Sequence, residues 1–441
     1  MYQWCFYALS AITLSLTACS SHPLMDQPVT RQSETLQVSS NPITHPTGVL
    51  TLKQSLALAM DHAPALQAGR LQLQALEARK DHTGLRPKPE LEIEFENFAG
   101  SGEFQGVDAL ETTISLAQSF PLGGDLKYMK LIAGKESELA SWDQQALRVE
   151  LLSTVTQRYL QALTLQQRLK QSTQSLQLAT QVQTLTDKRI KAGVAPPLER
   201  IRADVQVAQV KLEHQKVQRQ LTASYQQLAL TWGQSQVTFD SVTGDLETLT
   251  DLPKITNLFE QVAKHPLIAR WASELSLRQA QHQLANALAV NDLTGRIGLK
   301  HDNDANDHAL VIGLSMPLPI SDRNMADRLS SRIGMQAVPH QKREAQRQLQ
   351  QTLVDAYTQL AIAHDVAIAL REDALPKAQQ AFDVTRTAFE QGDVQFIDVI
   401  DAEQTLNQMH SQYLDALANY HLASAWIEGL ICQPLNQTTK P

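Results

Sequence analysis

Two stretches of the chain repeat one pattern of apolar positions. Val399, Ala402, Leu406, Met409, Tyr413, Ala416, Tyr420, Ala423 and Ile427 recur at alternating steps of three and four. Ala203, Val207, Val210, His214, Val217, Leu221, Ser224 and Leu228 fall on the same spacing. That alternation is the seam of a helix packed lengthwise along another helix. Each seam follows a glycine break, in "KAGVAPPLERIRAD" at Gly193 and in "EQGDVQFIDVIDAE" at Gly392. The offset between the glycines is 199 residues (392 less 193), and it carries every member of the Ala203 seam onto a member of the other. The chain therefore reads as two halves of one architecture. Upstream, "SFPL" (Ser119 to Leu122) matches "SMPL" (Ser315 to Leu318), and "VTQRYLQAL" (Val155 to Leu163) matches "LVDAYTQLA" (Leu353 to Ala361).

Between the helical runs the period changes from three-four to two. Leu91, Ile93 and Phe95 alternate with Glu92, Glu94 and Glu96; Thr112, Ile114 and Leu116 alternate with Glu111, Thr113 and Ser115. In the second half Ile297 and Leu299 alternate with Arg296 and Lys300, and Leu310, Ile312 and Leu314 follow at period two. Strict alternation predicts strands with one apolar and one polar face. Each half then reads helix, strand, strand, long helix, tight turn, long helix. The spacing predicts one unbroken helix from about Gly134 to Lys191, roughly 85 Å long at 1.5 Å per residue. Its counterpart, from about Asn324 to Glu390, contains Pro339 and Pro376, which are expected to kink or interrupt it.

Composition narrows the class. The 441 residues carry a formal net charge of −8, with a pI near 5.9. Acidity argues against nucleic acid as a partner. Aromatics are few at 5%, and the Gln-, Ala- and Leu-rich helical runs suit long exposed rods. Past the N-terminal segment no apolar run of about 18 residues stands out, so no spanning helix is expected. "FYALSAITLSLTAC" reads as a signal segment, residues 1–18, and "LTAC" resembles a lipobox that marks Cys19 for lipidation, although "MYQW" lacks the usual basic residue. Residues 19–48, rich in Ser, Thr and Pro, read as a flexible tether. The remaining divisions are a first repeat over 49–243, a second over 244–432 and a tail over 433–441. Cys5 leaves with the signal, Cys19 is acylated, and Cys432 is left alone, so no disulfide within the chain is expected.

Strands of about ten residues, apolar outward and polar inward, match transmembrane barrel strands. Four of them cannot close a pore alone, and open edges are not tolerated in lipid, so several chains must share one barrel. At this point the chain resembles the TolC-like outer-membrane efflux proteins over about Leu50 to Leu430. The carrying features are the duplicated halves and the two glycine-turn-helix segments. "RPKPELEIEFENFAGSGEFQGVDALETTISLAQSFPLGG" is similar to the CzcC-like branch, which serves heavy-metal cation exporters. The resemblance implies a mainly α chain with a small β part: duplicated halves, long coiled-coil helices and four transmembrane strands. It implies a homotrimer with a twelve-stranded barrel above a helical periplasmic tunnel, lipid-anchored in the bacterial outer membrane. The implied partners are a periplasmic adaptor and an inner-membrane pump of the resistance-nodulation-division type. Drug efflux and type I secretion use the same architecture, and a non-porous periplasmic coiled-coil lipoprotein is the rival outside transport.

The same resemblance assigns candidate residues. Asp398 and Asp401 match the acidic ring at the tunnel's periplasmic tip, where stacked carboxylates attract cations. The equivalent sites of the first half are Glu199 and Arg202, and Arg202 is a candidate partner for Asp401. Gly193, Val194, Gly392 and Asp393 form the adaptor-contacting tips, and Glu92, Glu94, Glu96 and Glu111 line the barrel lumen. "HDNDANDH" (His301 to His308) has metal-ligating residue types, but it sits between two strands and is ordinary turn chemistry. "GSGEFQG" (Gly100 to Gly106) opens no helix, so it is not read as a nucleotide site. No catalytic constellation, metal site or cofactor is expected, and the chain does not read as an enzyme.

Overall fold

The computed structural model describes residues 45–318, 320 and 324–435. Cys19, the signal segment, most of the tether and residues 436–441 lie outside them. The elements run in order β1 (Gly48–Leu50), α1 (Leu52–His62), α2 (Pro64–His82), β2 (Glu90–Glu96), β3 (Glu111–Phe120), α3 (Asp125–Lys191), α4 (Pro197–Leu230), β4 (Phe239–Val242), α5 (Ile255–Val262), α6 (Pro266–Ala287), β5 (Leu293–Asp302), β6 (Asp307–Ser315), α7 (Met325–Ala369), α8 (Leu375–Gln391) and α9 (Phe396–Ile431). From β1 to α4 and from β4 to α9 the element types recur in the same order, with α7 and α8 together standing where α3 stands. The leading strands of the two sets, β1 and β4, pair with each other in parallel.

Tyr159 ties this junction together. Its buried hydroxyl lies 2.8 Å from the Leu50 carbonyl and 2.5 Å from that of Thr243, and it accepts the Thr243 N–H at 3.1 Å. Burial pushes the phenol above its ordinary pKa, so the proton that makes these bonds stays on. Tyr159→Phe should leave those carbonyls short of a donor and destabilise the fold by about 1–3 kcal/mol. An unchanged midpoint in chemical denaturation would show that the hydroxyl contributes nothing there.

The first long helical run departs from its expected start, and the second, Met325–Gln391, lies within one residue of its expected bounds. α3 begins at Asp125, nine residues before Gly134, just after Gly124, whose left-handed backbone (φ +76°) turns the chain into the helix. Its 67 residues span about 100 Å at 1.5 Å each. The second run, Met325–Gln391, is also 67 residues long. Pro339 lies inside continuous α7 and does not interrupt it. Pro376 does mark an interruption: it follows a π-helical turn, Leu370–Ala374, that separates α7 from α8. The wider turn absorbs the donor that proline lacks. One 18-residue window of this run is apolar enough to cross a membrane, contrary to the sequence expectation. Leu353, Ala356, Leu360 and Ala363 of the run instead pack with Tyr420, Ala423 and Ile427 of α9 in one buried cluster.

The helices form an open layer. Below the β1–β4 junction the order is α4, α3, α9, then α7 with α8; nearer the strands it is α2, α3, α6, α7. The predicted seams face inward: Ala203, Val217, Leu221 and Leu228 of α4 are buried, as are Val399, Leu406, Ala416 and Ile427 of α9. The outer edges are not covered. α4 shows a second three-four stripe, Leu198, Ile201, Val205 and Leu212, each more than half exposed. The opposite edge exposes Val354, Ile362 and Val366 on α7 and Val384 on α8.

The strands form a separate antiparallel sheet in the order β2-β3-β5-β6. Its register puts Leu91, Leu116, Ile297 and Ile312 in one row across all four strands, and Ile93, Ile114, Leu299 and Leu310 in the next. All eight are about half exposed or more. A contiguous apolar face of this kind is not left against water in a soluble monomer. The sheet, like the helix layer, has two unpaired edges, β2 and β6.

Candidate functional site

The polar face of the sheet collects residues distant in sequence. Glu92 stands opposite Ser115, Glu94 opposite Thr113 and Glu96 opposite Glu111; Lys300 then stands opposite Thr113 and Asp302 opposite Glu111. Ser115 donates to Glu92 at 3.3 Å. Arg296 lies 3.4 Å from Glu92 and 3.7 Å from Glu94, and Lys300 pairs with Glu111. Three of the four expected lumen acids thus have cationic partners, and Glu96 makes no such ion pair among the described residues. The alternation dictated the shared face; the sheet order supplied the pairing. His301 and His308 oppose each other directly on the other face, with ring centroids 4.7 Å apart, and no group of three or more metal-ligating side chains occurs among the described residues.

The second locus is the end where α3 turns into α4 and α8 into α9. Gly193 and Gly392 both adopt left-handed φ, +74° and +94°, which glycine takes without a Cβ penalty. Val194 N–H bonds back to Arg189 O at 3.0 Å, and Asp393 N–H to Ala388 O at 2.9 Å. Val194 and Asp393 are exposed. Arg189 joins the turns: its guanidinium stacks 4.1 Å from the Phe389 ring centroid and donates to the Phe389 carbonyl. Phe389 in turn meets Phe396 edge-on.

At the helix starts, the Asp398 carboxylate accepts from Gln395 N–H at 2.8 Å, completing a capping box. Glu199 occupies the same position of α4, the third residue of that helix, with one carboxylate oxygen buried and unpartnered. Asp401 and Arg202 are both exposed, and neither makes an ion pair within the protomer among the described residues. At this end α3 and α4 are bridged by Arg200, 3.4 Å from Asp187. Sequence reading passed over Glu403, which is 0% exposed with both carboxylate oxygens unpartnered. Its signal was its place, four residues after Val399 and three before Leu406, on the seam side of α9.

The chain matches the outer membrane efflux protein family over residues 55–234 and 260–431, which take in most of both recurring sets of elements. It belongs to that family. The efflux protein is a transport channel component of the bacterial outer membrane and not an enzyme. It is 29% identical over 385 residues to the cobalt-zinc-cadmium resistance protein CzcC of Cupriavidus metallidurans, covering 87% of this chain and 90% of that one. It is 24% identical over 401 residues to the pyoverdine export outer membrane protein OpmQ of Pseudomonas putida, covering 82% and 81%. A crystal structure of CusC shares the fold with a TM-score of 0.74 at 18% identity, covering 87% of this chain and 93% of that one.

Proposed function

We propose that this efflux protein is the exit duct of a tripartite system for heavy-metal cations, working as a homotrimer with a periplasmic adaptor and a resistance-nodulation-division pump. The observation that carries the reading is the pair of open layers. A sheet with free β2 and β6 edges and a helix layer with free α4 and α7–α8 edges are both completed by head-to-tail copies. The α4 edge of one copy meets the α7–α8 edge of the next, and β6 meets β2. Such heterologous contacts close into a ring. Three copies, the number typical of the family, give twelve strands, with the apolar rows towards lipid and the paired acids and bases towards the lumen. The exposed Arg202 and Asp401 then become candidates for a pairing between copies at the tips. Gly193, Val194, Gly392 and Asp393 present the surface for the adaptor.

The metal class rests on the likeness to the cobalt-zinc-cadmium resistance protein. Cells lacking this protein should show several-fold lower tolerance of cobalt, zinc and cadmium, restored by the wild-type chain. Unchanged metal tolerance together with lost secretion of pyoverdine would favour the reading suggested by the pyoverdine exporter. We further propose lipidation at Cys19. A palmitate analogue should label the wild type and not Cys19→Ala; equal labelling would remove the anchor. One acyl chain binds membranes only marginally, so Cys19→Ala should remain membrane-bound through its strands.

A further inference from the structure

Glu403 occupies an unusual position for a carboxylate. It lies in α9, seven residues past the helix start, among Val399, Ile400 and Leu406 of its own helix. The same apolar cluster takes Val182 from α3, Ala203 from α4, and Ala378 and Phe382 from α8. The four helices that end at the tips meet in this cluster, and Glu403 is fully buried on the α9 face that enters it. By the 199-residue offset its counterpart is Asp204, which is exposed and accepts from Gln183 at 2.7 Å. Only the second half buries its acid. A buried carboxyl without hydrogen-bond partners is costly when neutral and far more so when charged.

No nearby charge compensates it. α3 carries no charged residue from Gln171 to Thr186. On α8, Asp383 and Arg386 pair with each other at 3.6 Å. On α4, Asp204 is engaged by Gln183, and Arg200 by Asp187. Arg189 is committed to Phe389. Asp401, on its own helix, points to solvent, and the half-buried His410 lies two turns further on. Burial alone lifts the Glu403 carboxyl from 4.5 to about 7.

We propose that Glu403 is a proton-operated latch on the tips: neutral, it lets α3, α4, α8 and α9 close over it, and ionised, it drives them apart to admit water. The latch rests on the channel reading above. The sign follows from which state holds the proton. A hydrated, open tip lets Glu403 ionise near its ordinary value, whereas the closed tip retains the proton up to about pH 7. The closed form's advantage is complete below about pH 4.5 and is lost as pH rises through about 7. Between pH 5 and pH 8 the open-to-closed ratio should rise by up to about 70-fold.

The test is hydrogen exchange of the amides of residues 396–406 in the purified full-length protein, at pH 5 and pH 8, corrected for intrinsic rates. Exchange of the wild type should rise steeply. Glu403→Gln keeps the shape of the neutral acid and should be as protected at pH 8 as the wild type is at pH 5. His410→Gln should keep the wild-type profile. A wild-type profile without pH dependence, or Glu403→Gln tracking the wild type, would overturn the latch. Planar-bilayer conductance on the same samples separates the two claims. Conductance that rises with pH in the wild type and not in Glu403→Gln supports both. Absence of conductance at every pH would sink the channel reading, while exchange still decides the latch.

Discussion

Ile201→Asp combined with Val205→Asp should turn the assembled protein into monomers. Both side chains lie on the exposed α4 stripe, more than half accessible, so the protomer itself loses no buried contact. In the proposed assembly they sit against the α7–α8 edge of the next copy. Burying an isoleucine or valine there contributes about 1.5–3 kcal/mol. Replacing it with an unpaired carboxylate adds a desolvation cost of several kcal/mol more. A ring of three copies repeats that penalty at every junction. Light scattering of detergent-solubilised samples should report one chain instead of three, with helicity unchanged by circular dichroism. Gln215→Asp, exposed beyond the end of the stripe, should leave the assembly intact. Survival of the trimer in the double variant would show that the α4 edge is not a subunit seam.

Asp398→Asn with Asp401→Asn should abolish most of the cation preference of the channel. Asparagine at 398 keeps an oxygen for the Gln395 N–H, so the helix start is expected to lose less than about 1 kcal/mol. What disappears is charge, two groups per chain at the tip where we propose the channel narrows. Each near contact is worth about 1 kcal/mol in water at 4 Å and more where solvent is excluded. The cation-to-anion permeability ratio, read from reversal potentials, should fall several-fold. Glu92, Glu94 and Glu96 changed together to Gln should shift it less, because Arg296 already offsets Glu92 and Glu94 and because a wide lumen screens the rest. A larger shift from the strand variant would place selectivity in the barrel and not at the tips.

The sequence by itself determined the seams, the strand faces and the duplication. A period of two or of alternating three and four fixes which side chains share a face before any neighbour is chosen. Ala203 and Leu406 were legible as seam residues for that reason, and Leu91 and Glu92 as opposite faces. Glycine at 193 and 392 marked the turns because the left-handed backbone there favours it. The tertiary structure decided what covers each face. α4 carries two three-four stripes, Ala203–Leu221 and Leu198–Leu212, and only packing on α3 shows which one stays exposed. Arg296 reaches Glu92 across 204 positions because β5 lies beside β3 in the sheet, an order that no local pattern encodes. Pro339 sits inside continuous α7, whereas Pro376 begins a new helix just after a π turn, a difference that the residue type alone does not encode. Glu403 reads in sequence as one more acid at a helix start. Packing of α9 with α8 and with the α3–α4 pair from the other half of the chain makes it a buried one.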